Sequence, residues 1–135
     1  NNASCVLRIE SEGGQSVLLT GDIERQAEQL LLREAVGQLE VDVLVVPHHG
    51  SKTSSSVDFV EAVKPGLALV PSGYRNRYGF PKTEILDRYM HIQASVEQTG
   101  LAGALAVLLA KDGDVLEIHR YRDSKPRYWH AENKR

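Results

Sequence analysis

The sequence Val41-Asp42-Val43-Leu44-Val45-Val46-Pro47-His48-His49-Gly50-Ser51 is the strongest indication of how this chain folds. It begins with a continuous apolar run, the pattern of a parallel strand that is covered on both faces. The run ends in two adjacent histidines and a glycine. An earlier apolar run, at residues 16–20, ends in Gly21-Asp22. Because each strand delivers a metal-competent side chain at its carboxyl end, the two runs together predict a hydrolytic metal site.

The composition is that of a single globular domain. The chain has 135 residues, of which 41% are hydrophobic and 25% are charged, and this length is sufficient to bury a core. The formal net charge of −2 excludes a protein that is basic throughout and holds nucleic acid by charge alone. The single Cys5 excludes an internal disulfide. Since residue 1 is Asn and the only methionine is Met90, we expect a piece of a longer protein.

Charge is distributed unevenly along the chain. Residues 119–135 hold six Lys or Arg and two Asp or Glu, which leaves ten basic and sixteen acidic residues in the remainder. The basic end also contains Tyr121, Tyr128 and Trp129. Basic residues mixed with aromatic rings suit single-stranded nucleic acid, because phosphates take the charge and bases stack on the rings. The plainer alternative is a solvated terminus.

Hydrophobic periodicity predicts alternating strands and helices. Strands are predicted at residues 4–9, 16–20, 41–46 and 67–70, and helices at residues 23–36, 57–63 and 83–90. Gly13-Gly14 predicts a hairpin between the first two strands. Three further strands, at residues 95–99, 103–109 and 115–122, are predicted to be antiparallel, with a turn at residues 111–114. This order predicts an α/β fold in which flanking helices pack on a mixed sheet.

The helix predicted at residues 23–36 is amphipathic. Its apolar face carries Ile23, Ala27, Leu30, Leu31 and Ala35. Off that face lie the charged residues Glu24, Arg25, Glu28 and Arg33. Gly37 is expected to end this helix, and Ser56 is expected to cap the next one.

Asp22 follows a strand and a glycine, so its carboxylate is expected to project from the edge of the sheet. A carboxylate in that place can bridge two metal ions, because its two oxygens reach two cations at once. The alternative is a helix N-cap, since Asp is a preferred capping residue and a helix follows. The local sequence is compatible with both roles.

His48 and His49 follow the next strand. Adjacent residues at a strand end point in opposite directions, so we expect one imidazole to ligate a metal and the other to orient or protonate a substrate oxygen. The alternative is a pair of histidines that bind loop carbonyls. Beside them, Ser51, Lys52 and Thr53 offer hydroxyls and a cation that suit a phosphate, although an ordinary polar loop has the same composition.

A second basic loop lies at residues 74–79, where Arg75, Asn76 and Arg77 stand between two tyrosines. Such a loop could grip a phosphodiester backbone or stack bases, and a solvated loop is the alternative. The triplet Ser54-Ser55-Ser56 lacks the Gly-x-Ser-x-Gly context of a serine hydrolase.

Four ordered blocks of this sequence resemble one family. They are residues 1–9, Leu19-Thr20-Gly21-Asp22, residues 45–54 and residues 72–81. Together they closely resemble the carboxyl-terminal metallo-β-lactamase-like domain of the ComEC/Rec2 competence proteins. These are polytopic inner-membrane proteins that import single-stranded DNA during natural transformation.

The resemblance implies half of a metallo-β-lactamase-like αβ/βα sandwich at residues 1–122 and a basic tail at residues 123–135. It implies that Asp22 bridges the metals and takes part in catalysis, that His49 is a metal ligand, and that His48 is the catalytic group facing substrate. Substrate-binding residues are then expected at Ser51, Lys52, Thr53, Arg75, Asn76 and Arg77. The leading His-x-His-x-Asp-His motif of the superfamily does not occur in this chain, so zinc or manganese is expected only in the intact domain.

The activity implied is metal-dependent phosphodiester hydrolysis of the DNA strand that is not imported, with this fragment inactive alone. The implied partners are single-stranded DNA, the rest of a polytopic membrane protein, and a second copy that could cover an open sheet edge. The parent is expected in the bacterial inner membrane, with this domain soluble on the periplasmic side. One alternative is a non-catalytic DNA-binding or gating module of the channel. Another is a soluble metallo-hydrolase of the same fold that acts on a small phosphoester.

Overall fold

The computed structural model of this chain describes residues 3–109 and 116–127. Its centre is a five-stranded sheet in which spatial order equals chain order. The strands are β1 (Leu7–Glu10), β2 (Ser16–Leu19), β3 (Val43–Val45), β4 (Leu67–Val70) and β5 (Ser95–Gln98). β1 is antiparallel to β2, and β2 to β5 are parallel. The prediction of an α/β fold with a mixed sheet is confirmed.

The direction of β5 differs from the prediction. β5 was expected in an antiparallel group, but it pairs parallel with β4, with Leu67 opposite Ser95 and Val70 opposite Gln98. The physical reason is that a helix connects β4 to β5. This crossover carries the chain back to the end of the sheet where β4 began, so β5 runs in the same direction as β4. β6 (Leu105–Leu109) and β7 (Leu116–Arg120) do form an antiparallel pair, in a second sheet. The turn predicted between them lies outside the described residues.

Helices connect the parallel strands. They are α1 (Arg25–Glu34), α2 (Val57–Val63) and α3 (Thr83–His91), followed by the single-turn helices α4 (Thr99–Ala102) and α5 (Tyr121–Ser124). α2 has its predicted bounds, whereas α1 begins two residues late and ends before Gly37. α5 spans the predicted boundary between domain and tail, and residues 128–135 of that tail lie outside the described residues. Of the helices in the described part of the chain, none is long and apolar enough to cross a membrane.

The core lies between α1–α3 and one face of the main sheet. Its fully buried members include Leu44, Ala68, Phe59 and Ile85. Tyr89 of α3 is also fully buried, and its hydroxyl donates a hydrogen bond to Ser55 Oγ at 2.9 Å. Burial raises the pKa of the Tyr89 hydroxyl, so this group stays neutral and remains a donor.

Glu28 of α1 departs from the predicted amphipathic pattern. It lies off the apolar face of the helix, yet its side chain is fully buried. Its carboxylate accepts hydrogen bonds from the backbone N–H groups of Ser55 and, at 2.9 Å, of Ser56. Ser56 is the N-cap residue of α2 but makes no side-chain capping bond. A side chain of α1 therefore satisfies backbone donors at the start of α2. Conversely, Leu30 of the predicted apolar face is 45% exposed.

The opposite face of the main sheet is apolar and only partly covered. Because side chains alternate along each strand, the register places one set of apolar residues on this face. Leu7 and Ile9 of β1 are 54% and 44% exposed there. Half-buried neighbours on the same face are Val17, Leu19, Val45 and Leu69. We call these six residues the open face.

Candidate metal centre

The loops after β2 and β3 bring Asp22 and His49 together. β2 and β3 are parallel neighbours, so both strands end at the same edge of the sheet. The backbone N–H of His48 donates to the carbonyl of Gly21 at 3.1 Å, which fastens one loop to the other. His49 Nε2 then lies 3.6 Å from Asp22 Oδ1.

The orientation of His49 follows from its other ring nitrogen. Nδ1 lies 2.7 Å from the carbonyl oxygen of Pro71. A carbonyl oxygen only accepts hydrogen bonds, so Nδ1 carries the proton, and in the neutral ring Nε2 presents a lone pair to Asp22. Two acceptors face each other at that point, and either a proton on Nε2 or a cation between the groups relieves their repulsion. An imidazole held through N–H by a backbone carbonyl is the usual arrangement of a metal-binding histidine.

The two groups fit a shared metal ion. Ligand atoms that are each about 2.1 Å from a tetrahedral zinc stand about 3.4 Å apart, close to the 3.6 Å between Nε2 and Oδ1. Both side chains are about half exposed, at 46% and 47%, so further ligands have access. Residues 3–109 and 116–127 hold no group of three or more such side chains. Asp22 and His49 therefore fit two ligands of a site that needs others.

Asp22 does not cap the helix that follows it. α1 begins at Arg25, its N-cap residue is Glu24, and no side chain makes a capping bond there. The backbone N–H of Asp22 donates to Ser4 Oγ at 3.3 Å. The Asp22 carboxylate is thereby left facing His49.

The two adjacent histidines lie in a tight turn. His48 and His49 have φ of 49° and 56°, and Gly50 has φ of 79°. Left-handed backbone costs a residue other than glycine about 1–3 kcal/mol, so the rest of the structure must hold this turn. The two ring centroids lie 6.4 Å apart with planes at 63°. The imidazoles consequently have different partners.

His48 belongs to a cluster with Glu24 and Thr53. His48 Nδ1 lies 3.2 Å from Glu24 Oε1 and 3.3 Å from Thr53 Oγ1. The hydroxyl of Thr53 also donates to Glu24 Oε1 at 3.2 Å. A carboxylate beside Nδ1 favours the tautomer that leaves Nε2 free to accept a proton. Glu24 is the site residue that sequence reasoning missed, because the helical pattern showed only that it lies off the apolar face.

The segment Ser51-Lys52-Thr53, which was predicted to bind phosphate, is partly buried. Ser51 is buried and its Oγ lies 3.1 Å from Thr53 Oγ1. Lys52 is exposed and its Nζ lies 3.2 Å from Glu84 Oε2 of α3. Thr53 therefore joins Ser51 to the His48 cluster, while Lys52 presents its charge at the surface.

The loop after β4 lies beside this turn. The side-chain amide of Asn76 donates to the carbonyls of Gly73 and Phe80 at 3.0 and 2.6 Å, and its oxygen accepts from Phe80 N–H at 2.9 Å. Asn76 is thus engaged in holding the loop. Arg75 and Arg77 are exposed and lie over the rings of Tyr74 and Tyr78, at 5.3 and 4.8 Å from the centroids. The two arginines keep cations at the surface of this loop.

Known proteins are similar to this chain, although no family model matches it. Recombination protein 2 of Haemophilus influenzae is 39% identical over 131 residues, which are 97% of this chain and 16% of that protein. Competence protein ComA of Neisseria gonorrhoeae is 41% identical over 113 residues, 84% of this chain and 16% of that protein. ComE operon protein 3 of Bacillus subtilis is 36% identical over 105 residues, 78% of this chain and 13% of that protein.

The chain therefore spans 13–16% of the length of these relatives. Two of the three are named for competence or recombination in different bacteria, and the third is a protein of the ComE operon. The similarities support a place in the ComEC/Rec2 competence family for this segment.

Proposed function

We propose that this chain is a segment of a membrane-associated protein that takes up DNA in natural transformation, and that it supplies part of a metal-dependent phosphodiesterase site. The names of the relatives support the first statement. The second rests on one observation, the approach of Asp22 Oδ1 and His49 Nε2 to 3.6 Å while Nδ1 of His49 is held by a backbone carbonyl. The proposed substrate is the DNA strand that is not imported, on the periplasmic side.

Asp22 and His49 would hold zinc or manganese together with ligands from elsewhere in the longer protein. A divalent cation bound there supplies a Lewis acid toward a phosphoryl oxygen. Carboxylate oxygen and imidazole nitrogen are suitable donors for both metals. The described residues provide two donors only, so the fragment alone is expected to be inactive.

His48 is the proposed proton-transfer group. Glu24 holds its Nδ1, which fixes the ring and leaves Nε2 as the free nitrogen. The imidazole can thus accept a proton from an attacking water or return one to a leaving oxygen. The exposed residues Lys52, Arg75 and Arg77 are proposed to neutralise the phosphates of the bound strand.

The open face supports the proposal that this chain is one half of a metallo-β-lactamase-like αβ/βα sandwich. α1–α3 cover one face of the main sheet, whereas Leu7 and Ile9 remain 54% and 44% exposed on the other. A partly exposed apolar surface of this kind commonly marks an interface. A second layer from the longer protein would bury it.

The test is cleavage of labelled single-stranded DNA by the protein extended upstream of Asn1, with and without Mn²⁺ or Zn²⁺. We expect cutting that requires metal and is lost in Asp22→Ala and in His49→Ala. The matched control is His119→Ala, because His119 also lies beside a carboxylate, with Nε2 3.1 Å from Glu117 Oε1, but on β7. Metal-dependent cutting that survives in both site variants would contradict the assignment.

A non-catalytic DNA-binding or gating module is the second candidate. It is favoured by the exposed guanidinium groups of Arg75 and Arg77, neither of which forms an ion pair with a carboxylate among the described residues. Retention of DNA that salt reverses, without cutting under any metal condition, would establish this function in place of the enzyme.

A further inference from the structure

Two aromatic side chains of the loop after β4 form a row of ring contacts that runs from His48 to the protein surface. Phe80 meets the ring of His48 edge-on, with centroids 6.1 Å apart and planes at 65°. Tyr78 stacks on Phe80 at 5.6 Å and 21°. Tyr78 is 57% exposed, and Phe80 is partly buried. We call His48, Phe80 and Tyr78 the aromatic strip.

Two cations accompany the aromatic strip. The guanidinium of Arg77 lies 4.8 Å from the Tyr78 centroid and donates to its hydroxyl at 2.6 Å. Lys82 Nζ lies 5.3 Å from the Phe80 centroid and donates to the Tyr78 carbonyl at 2.6 Å. In the part of the chain that the structure describes, no carboxylate neutralises either cation. Rings interleaved with uncompensated cations are the composition of surfaces that bind single-stranded nucleic acid.

The strip is held in place by contacts on its inner side. The Asn76 amide bonds both backbone polar groups of Phe80. The backbone N–H of Lys82 donates to the carbonyl of Gly50 at 3.0 Å, and a Cβ at Gly50 would stand 2.6 Å from Pro81 Cβ. The ring of Phe80 is therefore positioned before any ligand arrives, which lowers the entropic cost of binding.

A nucleobase can displace Arg77 from Tyr78. An exposed cation–π contact contributes about 2- to 5-fold to an equilibrium constant, whereas stacking of a base on an aromatic side chain contributes about 5- to 150-fold. Stacking on Tyr78 can therefore offset the loss of the cation–π contact. The displaced guanidinium remains on the same loop and is available to a phosphate oxygen.

We propose that Tyr78 and Phe80 form a stacking site for an unpaired nucleobase beside the candidate metal centre, with Arg77 and Lys82 as its phosphate partners. This inference rests on the proposed nucleic-acid substrate and deepens it. The site selects single strands, because the bases of a duplex are already stacked and paired. Tyr78 and Phe80 are specificity-determining residues here and take no part in the chemical step.

The test is binding of the 135-residue chain to two fluorescent strands of equal length, in low salt with a chelator present. One strand is oligothymidine and the other is the same sugar-phosphate chain without bases. We expect the wild-type chain to bind oligothymidine at least about 5-fold more tightly. Tyr78→Leu should abolish this preference without changing affinity for the abasic strand, and Tyr78→Phe should preserve it.

The control is Met90→Leu. Met90 is likewise exposed, at 54%, but it carries no ring and lies on α3. This variant should keep the preference for oligothymidine. Arg77→Gln should weaken binding of both strands and reduce the dependence of affinity on salt by about one charge.

Equal affinity of the wild-type chain for the two strands would overturn the stacking site, as would a Tyr78→Leu variant that behaves like wild type. Either outcome leaves the proposed phosphodiesterase intact, because metal-dependent cutting tests that function separately. Failure of the chain to bind either strand would instead remove the nucleic-acid substrate, and the stacking site with it.

Discussion

Three carboxylates within residues 22–28, just before and in the first turns of α1, have three different roles. Asp22 faces the imidazole of His49, and Glu24 holds that of His48. Glu28 is fully buried and accepts backbone N–H groups at the start of α2. The differences arise from position along the chain, since each carboxylate meets a different segment of the loop that follows β3.

Glu28→Gln tests the role of the buried carboxylate in stability. Glutamine has the same shape but replaces one acceptor oxygen by an NH₂ group, which would point its hydrogens at a backbone N–H. We expect the free energy of unfolding to fall by about 1–3 kcal/mol, measured by urea denaturation. Glu34→Gln, at an exposed position of the same helix, should change it by less than about 0.5 kcal/mol. Equal stability of the two variants would contradict the capping role.

At the scale of elements, the turn after β3 and the loop after β4 form one unit. The carbonyl of Gly50 accepts from Lys82, and the backbone of Gly50 lies directly against Pro81. The strained backbone of His48 and His49 is thereby supported from the neighbouring loop. The candidate centre and the aromatic strip are consequently expected to move together.

Gly50→Ala tests this coupling. Alanine there would have an unfavourable φ of 79° and a Cβ 2.6 Å from Pro81 Cβ. We expect a loss of about 2–5 kcal/mol in the free energy of unfolding, measured by urea denaturation, together with a changed chemical shift of the Phe80 ring. The control is Gly37→Ala, where a Cβ meets nothing within 4 Å, and its stability should stay within about 1 kcal/mol of wild type. A Gly50→Ala protein as stable as the control would refute the coupling.

The elements also show what the sequence can predict. The apolar runs at residues 43–45 and 67–70 and the helix Val57–Val63 were predictable, because local pattern and flanking Pro and Gly define them. The direction of β5 was not, since the same residues fit either direction and the crossover through α3 decides it. Glu24 and Glu28 were not assigned, because their partners are distant in sequence and a helical pattern reports only which face is apolar.

At the scale of the whole molecule, the chain has one helical layer on one side of its main sheet and the open face on the other. The relatives extend far beyond the aligned segment, which covers at most 16% of their length. Both facts agree with the proposed second layer from elsewhere in a longer protein. A second copy of the chain is the alternative cover for the open face and for β1, whose four residues are all exposed.

The central claim is that Asp22 and His49 bind the same metal ion, and calorimetric titration of zinc into the protein extended upstream of Asn1 tests it most directly. We expect wild-type protein and the His119→Gln control to bind zinc equally. Asp22→Asn and His49→Gln should each weaken binding by at least about 10-fold. Identical zinc affinity in all four proteins would contradict the claim and assign the 3.6 Å approach of Asp22 and His49 to an ordinary ion pair.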